Sequence, residues 1–209
     1  MPVLNQIAYF QNRRDEVPNQ ELARELARTK NRKGIQEIAE NLGHKNQNVQ
    51  SDCLKVLYEI GYLAPELIAE YVDDFLGLLK HKNNRMVWGG MIALGTIADL
   101  KPREIWKQVD EVIRVIDHGT VITLVWGIKT LAKVASTKKQ YREKLFPVLM
   151  RYLKTCIPRD VPTHAANVLC AVDDVHAQEF RTLLESRQNE MTPSQSARLR
   201  KAIKQSEAR

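Results

Sequence analysis

Asn83-Asn84-Arg85-Met86-Val87-Trp88-Gly89-Gly90-Met91-Ile92-Ala93-Leu94-Gly95 opens with three polar residues and is apolar or glycine from Met86 onward. A polar start running into an apolar stretch of this length predicts a helix buried on most of its sides. Its neighbours decide what it is part of. From Leu94, steps of 37 residues reach Leu57 on one side and Leu131 and Val168 on the other. The same step carries Ile97 to Ile60, Val134 and Ala171. The stretch is therefore one copy of something repeated, and internal period is the first property to settle in such a chain.

A second set of rows precedes each copy. Ile35, Val72, Val109 and Phe146 stand 37 residues apart, as do Ile38, Phe75, Val112 and Leu149. Ala39, Leu76, Ile113 and Met150 keep the step, and so do Leu42, Leu79, Ile116 and Leu153. Within a copy these positions fall at i, i+3, i+4 and i+7, the spacing of one helix face. Each unit thus reads as two helices. The turn between them opens on His44, His81 and His118, again 37 apart, and Pro65 and Pro102 match in position after the second helix, where a helix is expected to stop. A two-helix unit cannot bury its apolar faces alone, so consecutive units are expected to stack around a shared core.

The Asn83–Gly95 stretch resembles the second helix of a HEAT repeat, in which a polar turn leads into an apolar residue, a small residue and then Ala-Leu-Gly. The resemblance to the HEAT-repeat, armadillo-like α-solenoids covers residues 32–177 and implies an all-α chain, a right-handed α-α superhelix of stacked helical hairpins. One departure is visible: the arginine that often follows the first apolar residue of this helix is replaced by Gln50 and Val87, so the charged ladder of such arrays is weakened. On this reading residues 1–209 form a single domain: capping helices over 1–31, four repeats over 32–177 and capping helices over 178–209. At the front, Val3, Leu4, Ile7, Ala8 and Phe10 suggest a helix, Val17-Pro18 a break, and Leu22, Ala23, Leu26 and Ala27 a second helix. At the back, Thr192-Pro193-Ser194-Gln195 has the residues of a capping box with proline at the first helical position.

Composition narrows function without naming it. The 209 residues include 32 Lys and Arg against 25 Asp and Glu, a net charge of +7 that permits nucleic-acid, anionic-lipid or acidic-protein partners and establishes none. Cys53, Cys156 and Cys170 lie far apart with no C-x-x-C pair, which argues against a disulfide framework and a zinc site. No basic segment followed by an apolar run opens the chain, and no stretch approaches the roughly 20 apolar residues of a membrane span. A cytoplasmic protein with no membrane partner is the expectation. Equivalent positions of stacked repeats lie about 10 Å apart, so the recurring histidines are expected to punctuate helices rather than hold a metal; His164 and His176 have no assigned role. The pairs Asp73-Asp74 and Asp110-Glu111 point about 100° apart on a helix and read as surface charge. No nucleophile elbow, phosphate-binding loop, dinucleotide fingerprint or zinc-protease motif is present, and no cofactor or metal is expected.

The resemblance implies that second helices line the concave face of such a solenoid. With the core rows removed, their remaining stripe is Ser51, Lys55, Tyr58, Glu59 and Tyr62, then Trp88, Ile92, Gly95, Thr96 and Asp99, then Val125, Lys129, Ala132 and Lys133. Asp52, Gly89 and Trp126 form the adjacent row, where Gly89 leaves room for a notch. An apolar patch rimmed by polar groups marks binding sites, and Trp is over-represented among anchoring residues. The expected partner is a protein or peptide contacting Lys55, Tyr58, Tyr62, Asp52, Trp88, Gly89, Ile92, Val125, Trp126 and Lys129. The bland reading is that flanking helices or caps cover this stripe. A second functional reading is a nucleic-acid or repair protein similar to the HEAT-like alkylpurine DNA glycosylases, with Trp88, Trp126 and Asp52 imitating their aromatic and acidic residues; no motif of that family is matched and the basic residues do not gather there.

Overall fold

The rows of the sequence become helix pairs in the computed structural model, which describes residues 2–207. Those residues contain helices and turns and no strand, and the chain forms two compact units, residues 1–123 and 124–209. In the first unit α1 (Val17–Thr29) precedes two hairpins. The first pairs α2 (Arg32–Glu40) with α3 (Gln47–Leu63), and the second pairs α4 (Val72–Leu78) with α5 (Asn84–Ile97). Next come α6 (Pro102–Lys107) and α7 (Val109–His118). Helix α8 (Val121–Thr137) starts in the first unit and runs into the second, which continues with α9 (Lys139–Thr155), α10 (Val161–Val168), α11 (Ala177–Ser186) and α12 (Pro193–Ser206).

In the first unit α1, α3 and α5 lie side by side as a layer of second helices, with α2 packed behind α3 and α4 behind α5. In the second, α10 is held by α9 and α12, and α11 bridges the same two helices. Every residue of the six rows is buried except Ile113, which is half-buried. Removing each such Leu, Ile or Phe side chain from water contributes roughly 1.5–3 kcal/mol, so the repeat pattern is also the pattern of the core.

The recurring histidine does more than end a helix at two of its three positions. His44 Nδ1 accepts the Asn46 backbone N–H at 3.0 Å, and His81 Nδ1 accepts that of Asn83 at 3.0 Å. Each asparagine then caps the next helix: Asn46 Oδ1 accepts the Asn48 N–H and Asn83 Oδ1 the Arg85 N–H, both at 2.9 Å. His-Lys-Asn is thus one device that turns the chain and starts α3 and α5. At the third copy Gly119-Thr120 replaces the last two residues, and His118 Nδ1 instead meets the Arg114 carbonyl oxygen at 2.8 Å.

The helix ends add detail to the sequence expectations. Pro65 and Pro102 do not merely follow a helix; each begins the next short element, the 3-10 turn Pro65–Leu67 and α6, where proline's missing N–H has no helical partner to lose. For the same reason Val17-Pro18 starts α1 instead of breaking the chain. The predicted first helix shrinks to the 3-10 turn Val3–Gln6, whose Val3 and Leu4 N–H groups donate to the Glu37 carboxylate at 3.1 and 3.0 Å. Tying those N–H groups to α2 satisfies them without a helix. The expected capping box of α12 is present: Thr192 Oγ1 accepts the Gln195 N–H at 3.4 Å and Gln195 Oε1 accepts the Thr192 N–H at 2.9 Å.

Candidate partner-binding site

The residues of the expected stripe differ widely in exposure. On α3 and α5, Ser51, Lys55, Tyr58, Ile92, Gly95 and Thr96 are buried, Glu59 and Trp88 are half-buried, and Tyr62 and Asp99 are exposed. The bland reading therefore holds for most of these residues.

Lys55 owes its burial to the segment before α1. Its ammonium lies 2.9 Å from Glu16 and 2.7 Å from Glu59, and Glu16 also reaches Arg85 at 3.0 Å. Burial works against the Lys55 charge, but the hydrogen bonds to Glu59 and Glu16 outweigh it and hold the ammonium above its ordinary range. Glu16 was not singled out from the sequence; its register, 37 residues before Cys53 in the second-helix row, is the signal that could have found it. Lys55 also lies 4.9 Å from the centre of the Tyr58 ring. Burial raises the Tyr58 hydroxyl above its usual value, so the ring is a neutral aromatic wedge.

Tyr58 is the buried centre of an aromatic group. Its ring is 5.9 Å from that of Tyr62 and 6.4 Å from that of Trp88, tilted by 58° and 52°. Such offset, inclined pairs suit the ring quadrupoles. Tyr62 keeps 46% of its surface exposed, and Leu63 beside it 56%. One repeat on, Leu100 is 46% exposed at the position matching Leu63. Along α3 and α5 the exposed large apolar side chains thus lie at and beyond the C-terminal ends of the helices.

Two other expected residues have structural duties. Asp52 accepts the Tyr9 backbone N–H at 2.8 Å and the Asn19 amide at 2.9 Å, while Asn19 accepts the Ala8 N–H at 2.9 Å. The carboxylate thereby ties the N-terminal turn and α1 to α3. Gly89 leaves no notch: a Cβ there would stand 2.5 Å from Leu54 Cδ2, so the glycine lets α3 and α5 close upon each other. Gly90 does the same toward α4, where a Cβ would meet Leu78 Cβ at 2.9 Å and the Phe75 carbonyl oxygen at 3.1 Å.

On α8, Val125, Trp126 and Lys129 are all half-buried. The Lys129 ammonium sits 4.3 Å over the Trp126 ring, a cation–π pair, and the Trp126 carbonyl accepts the Thr130 hydroxyl at 2.8 Å. Elsewhere in the second unit His176 Nδ1 lies 2.6 Å from Asp173, which also pairs with Arg142 at 2.8 Å; the acid is held below its ordinary value against the pull of burial by these contacts. Among the described residues no three His, Cys, Asp or Glu side chains gather as a metal-holding group, and no helix is long and apolar enough to cross a membrane.

No protein-family profile matches the sequence, and neither does any curated protein. Solved structures do match in shape. A designed armadillo repeat protein in complex with the peptide (KR)4 superposes with a TM-score of 0.66 at 13% identity, over 89% of this chain and 86% of that one. An engineered protein gives 0.62 at 16% identity, over 100% and 98%. The karyopherin Kap121p bound to the SUMO protease Ulp1p gives 0.64 at 15% identity over 97% of this chain, which spans only 22% of that protein's length.

Proposed function

We propose that this chain, which has the all-α repeat fold of the armadillo and HEAT solenoids, is a non-catalytic scaffold that binds a peptide or protein partner through its second helices. The observation that carries the reading is the Tyr58, Tyr62 and Trp88 group: two partly accessible rings set against a third that is buried and clamped by the Lys55, Glu16 and Glu59 ion pairs. Aromatic side chains fixed before binding lose little freedom on contact, which is what makes such residues anchors. The Trp126 and Lys129 pair on α8 offers a second, independent aromatic contact. Shape neighbours that hold a peptide or a protein, the (KR)4 complex and the Ulp1p complex, support a repeat scaffold of this kind.

The test starts from partners captured by the full chain from its native lysate and identified by mass spectrometry, followed by affinity measurement with the purified partner segment. Trp88→Ala and Tyr62→Ala are each expected to weaken binding by about 2 kcal/mol, roughly 30-fold, as for an interface anchor. Lys45→Ala, an exposed position on the turn before α3, serves as the control and is expected to change nothing. Equal affinity for the parent and both aromatic variants, with their melting temperatures unchanged, would place the binding face elsewhere.

A further inference from the structure

The positive charge of this protein is confined to one of its units. Residues 124–209 carry 16 Lys and Arg against 8 Asp and Glu, whereas residues 1–123 carry 16 against 17. In the first unit cations are matched locally by acids: Arg28 with Glu25, Arg114 with Glu111, Lys55 and Arg85 with Glu16. Helix α12 is the opposite case. From Pro193 to Ser206 it has no Asp or Glu, and its Arg198, Arg200, Lys201 and Lys204 are exposed with no carboxylate partner among the described residues.

The helix is also firmly held. Ser196, Leu199, Ala202 and Ser206 form its buried stripe, and α12 packs on α10. The capping box fixes its first turn, and Arg181 donates to the Ser206 carbonyl at 3.3 Å at its last. At about 100° per residue, the four cations cover the arc opposite the buried stripe, with Arg200 and Lys204 on one flank and Arg198 on the other. The remaining exposed residues of that arc are small or polar, Pro193, Ser194, Ala197 and Gln205. Without a large apolar side chain there is nothing to insert into a bilayer, and without an aromatic there is nothing for an unpaired base to stack on.

We propose that α12 is a sequence-independent docking face for the phosphate backbone of duplex DNA, contacted by Arg198, Arg200, Lys201 and Lys204. Duplex DNA carries about one negative charge per 1.7 Å of its axis, a density that suits four unneutralised cations on two turns of one helix. Its major groove, about 12 Å wide, admits a helix with phosphates on both flanks, whereas the narrow, deep major groove of duplex RNA does not. The face lies on a different helix from the aromatic group above, so either assignment can fail without the other.

Fluorescence anisotropy of the full chain with a labelled DNA duplex of roughly 20 base pairs, two helical turns, tests the proposal. Four phosphate contacts at about −0.9 each give a slope of log affinity against log salt between about −3 and −4. Affinity should then fall roughly 100-fold from about 50 to 200 mM salt. Neutralising all four residues (Arg198→Gln, Arg200→Gln, Lys201→Gln, Lys204→Gln) is expected to abolish binding while circular dichroism and melting temperature stay unchanged. Removing four exposed cations of the first unit (Arg24→Gln, Arg28→Gln, Lys33→Gln, Lys45→Gln) is expected to leave it. The proposal is overturned by no DNA binding at about 50 mM salt, where phosphate contacts are strongest, or by an unchanged slope in the α12 variant. It is equally overturned if duplex RNA, phosphatidylserine vesicles or poly-glutamate bind more tightly than the DNA.

Discussion

Gly89 and Gly90 sit side by side in the interior of α5, where each costs about 1 kcal/mol relative to alanine in helix propensity. Their environments differ in a way that orders two substitutions. At Gly89 an added methyl meets only side-chain atoms of Leu54, Cδ2 at 2.5 Å and Cγ at 3.0 Å; at Gly90 it meets Leu78 Cβ and the Phe75 backbone oxygen, which move only with the backbone. Overpacking costs typically 1–3 kcal/mol. Gly90→Ala is therefore expected to be destabilising by about 1–2 kcal/mol after the propensity gain, and Gly89→Ala to lie near zero. Urea midpoints of the two variants check this; the reverse order would mean that α4 is free to move away from α5. His164 differs in kind: it is fully buried in α10, and neither ring nitrogen has a hydrogen-bond partner among the described residues. Burial holds its pKa below the usual 6.5, although the nearby Asp160 charge opposes the shift. As pH falls through 6.5 the unfolded chain takes up the proton first, so the stability contributed by the neutral ring is complete above that value and declines below it. His164→Leu is expected to be more stable than the parent, by a margin in urea midpoint that widens from about pH 7.5 to about pH 5.5. A margin independent of pH would show that the ring titrates in the native state as it does in the unfolded chain.

Helix ends are where this chain uses specific chemistry. α3 and α5 start on His-Lys-Asn turns, α12 on a capping box, and α9 ends on a single arginine. Arg187 Nη1 donates to the carbonyls of Leu153 at 2.8 Å, Lys154 at 3.1 Å and Cys156 at 2.8 Å, while Glu190 holds the other face of the guanidinium at 2.6 Å. Those carbonyls belong to the last turn of α9 and its exit, which have no intrahelical donor. One side chain from the connection after α11 thus closes a helix that ended about 30 residues earlier in the chain. Arg187→Ala takes the charged donor from three carbonyls, of which that of Leu153 keeps only the weak Cys156 thiol at 3.6 Å, and is expected to lower stability by about 2–4 kcal/mol, since hydrogen bonds to a charged donor are worth about 1.5–3 kcal/mol net. Arg187→Lys supplies the charge without the planar fork and is expected to recover only part of that loss, read from the same denaturant midpoints. If Arg187→Ala melts with the parent, water already serves these carbonyls.

Across the whole chain, the 37-residue repeat marks where the core lies. A row such as Ile38, Phe75, Val112 and Leu149 is legible because a helix face repeats every 3.6 residues and each copy buries its own face. The hairpins, their order and the all-α class follow from residue types taken a few positions at a time. Exposure does not. Lys55 and Tyr58 occupy stripe positions, and they are buried because distant segments reach them: Glu16, before α1, pairs with Lys55, and Trp88 of α5 lies against Tyr58. Asp52 became an anchor for Tyr9 and Asn19, and Gly89 a seat for Leu54, through contacts between segments 33 or more residues apart. Periodicity is a local property of the chain and survives reading from the sequence. Which face is left for a partner depends on which distant segment spends its own polar and apolar groups upon it, and that is settled when the helices pack.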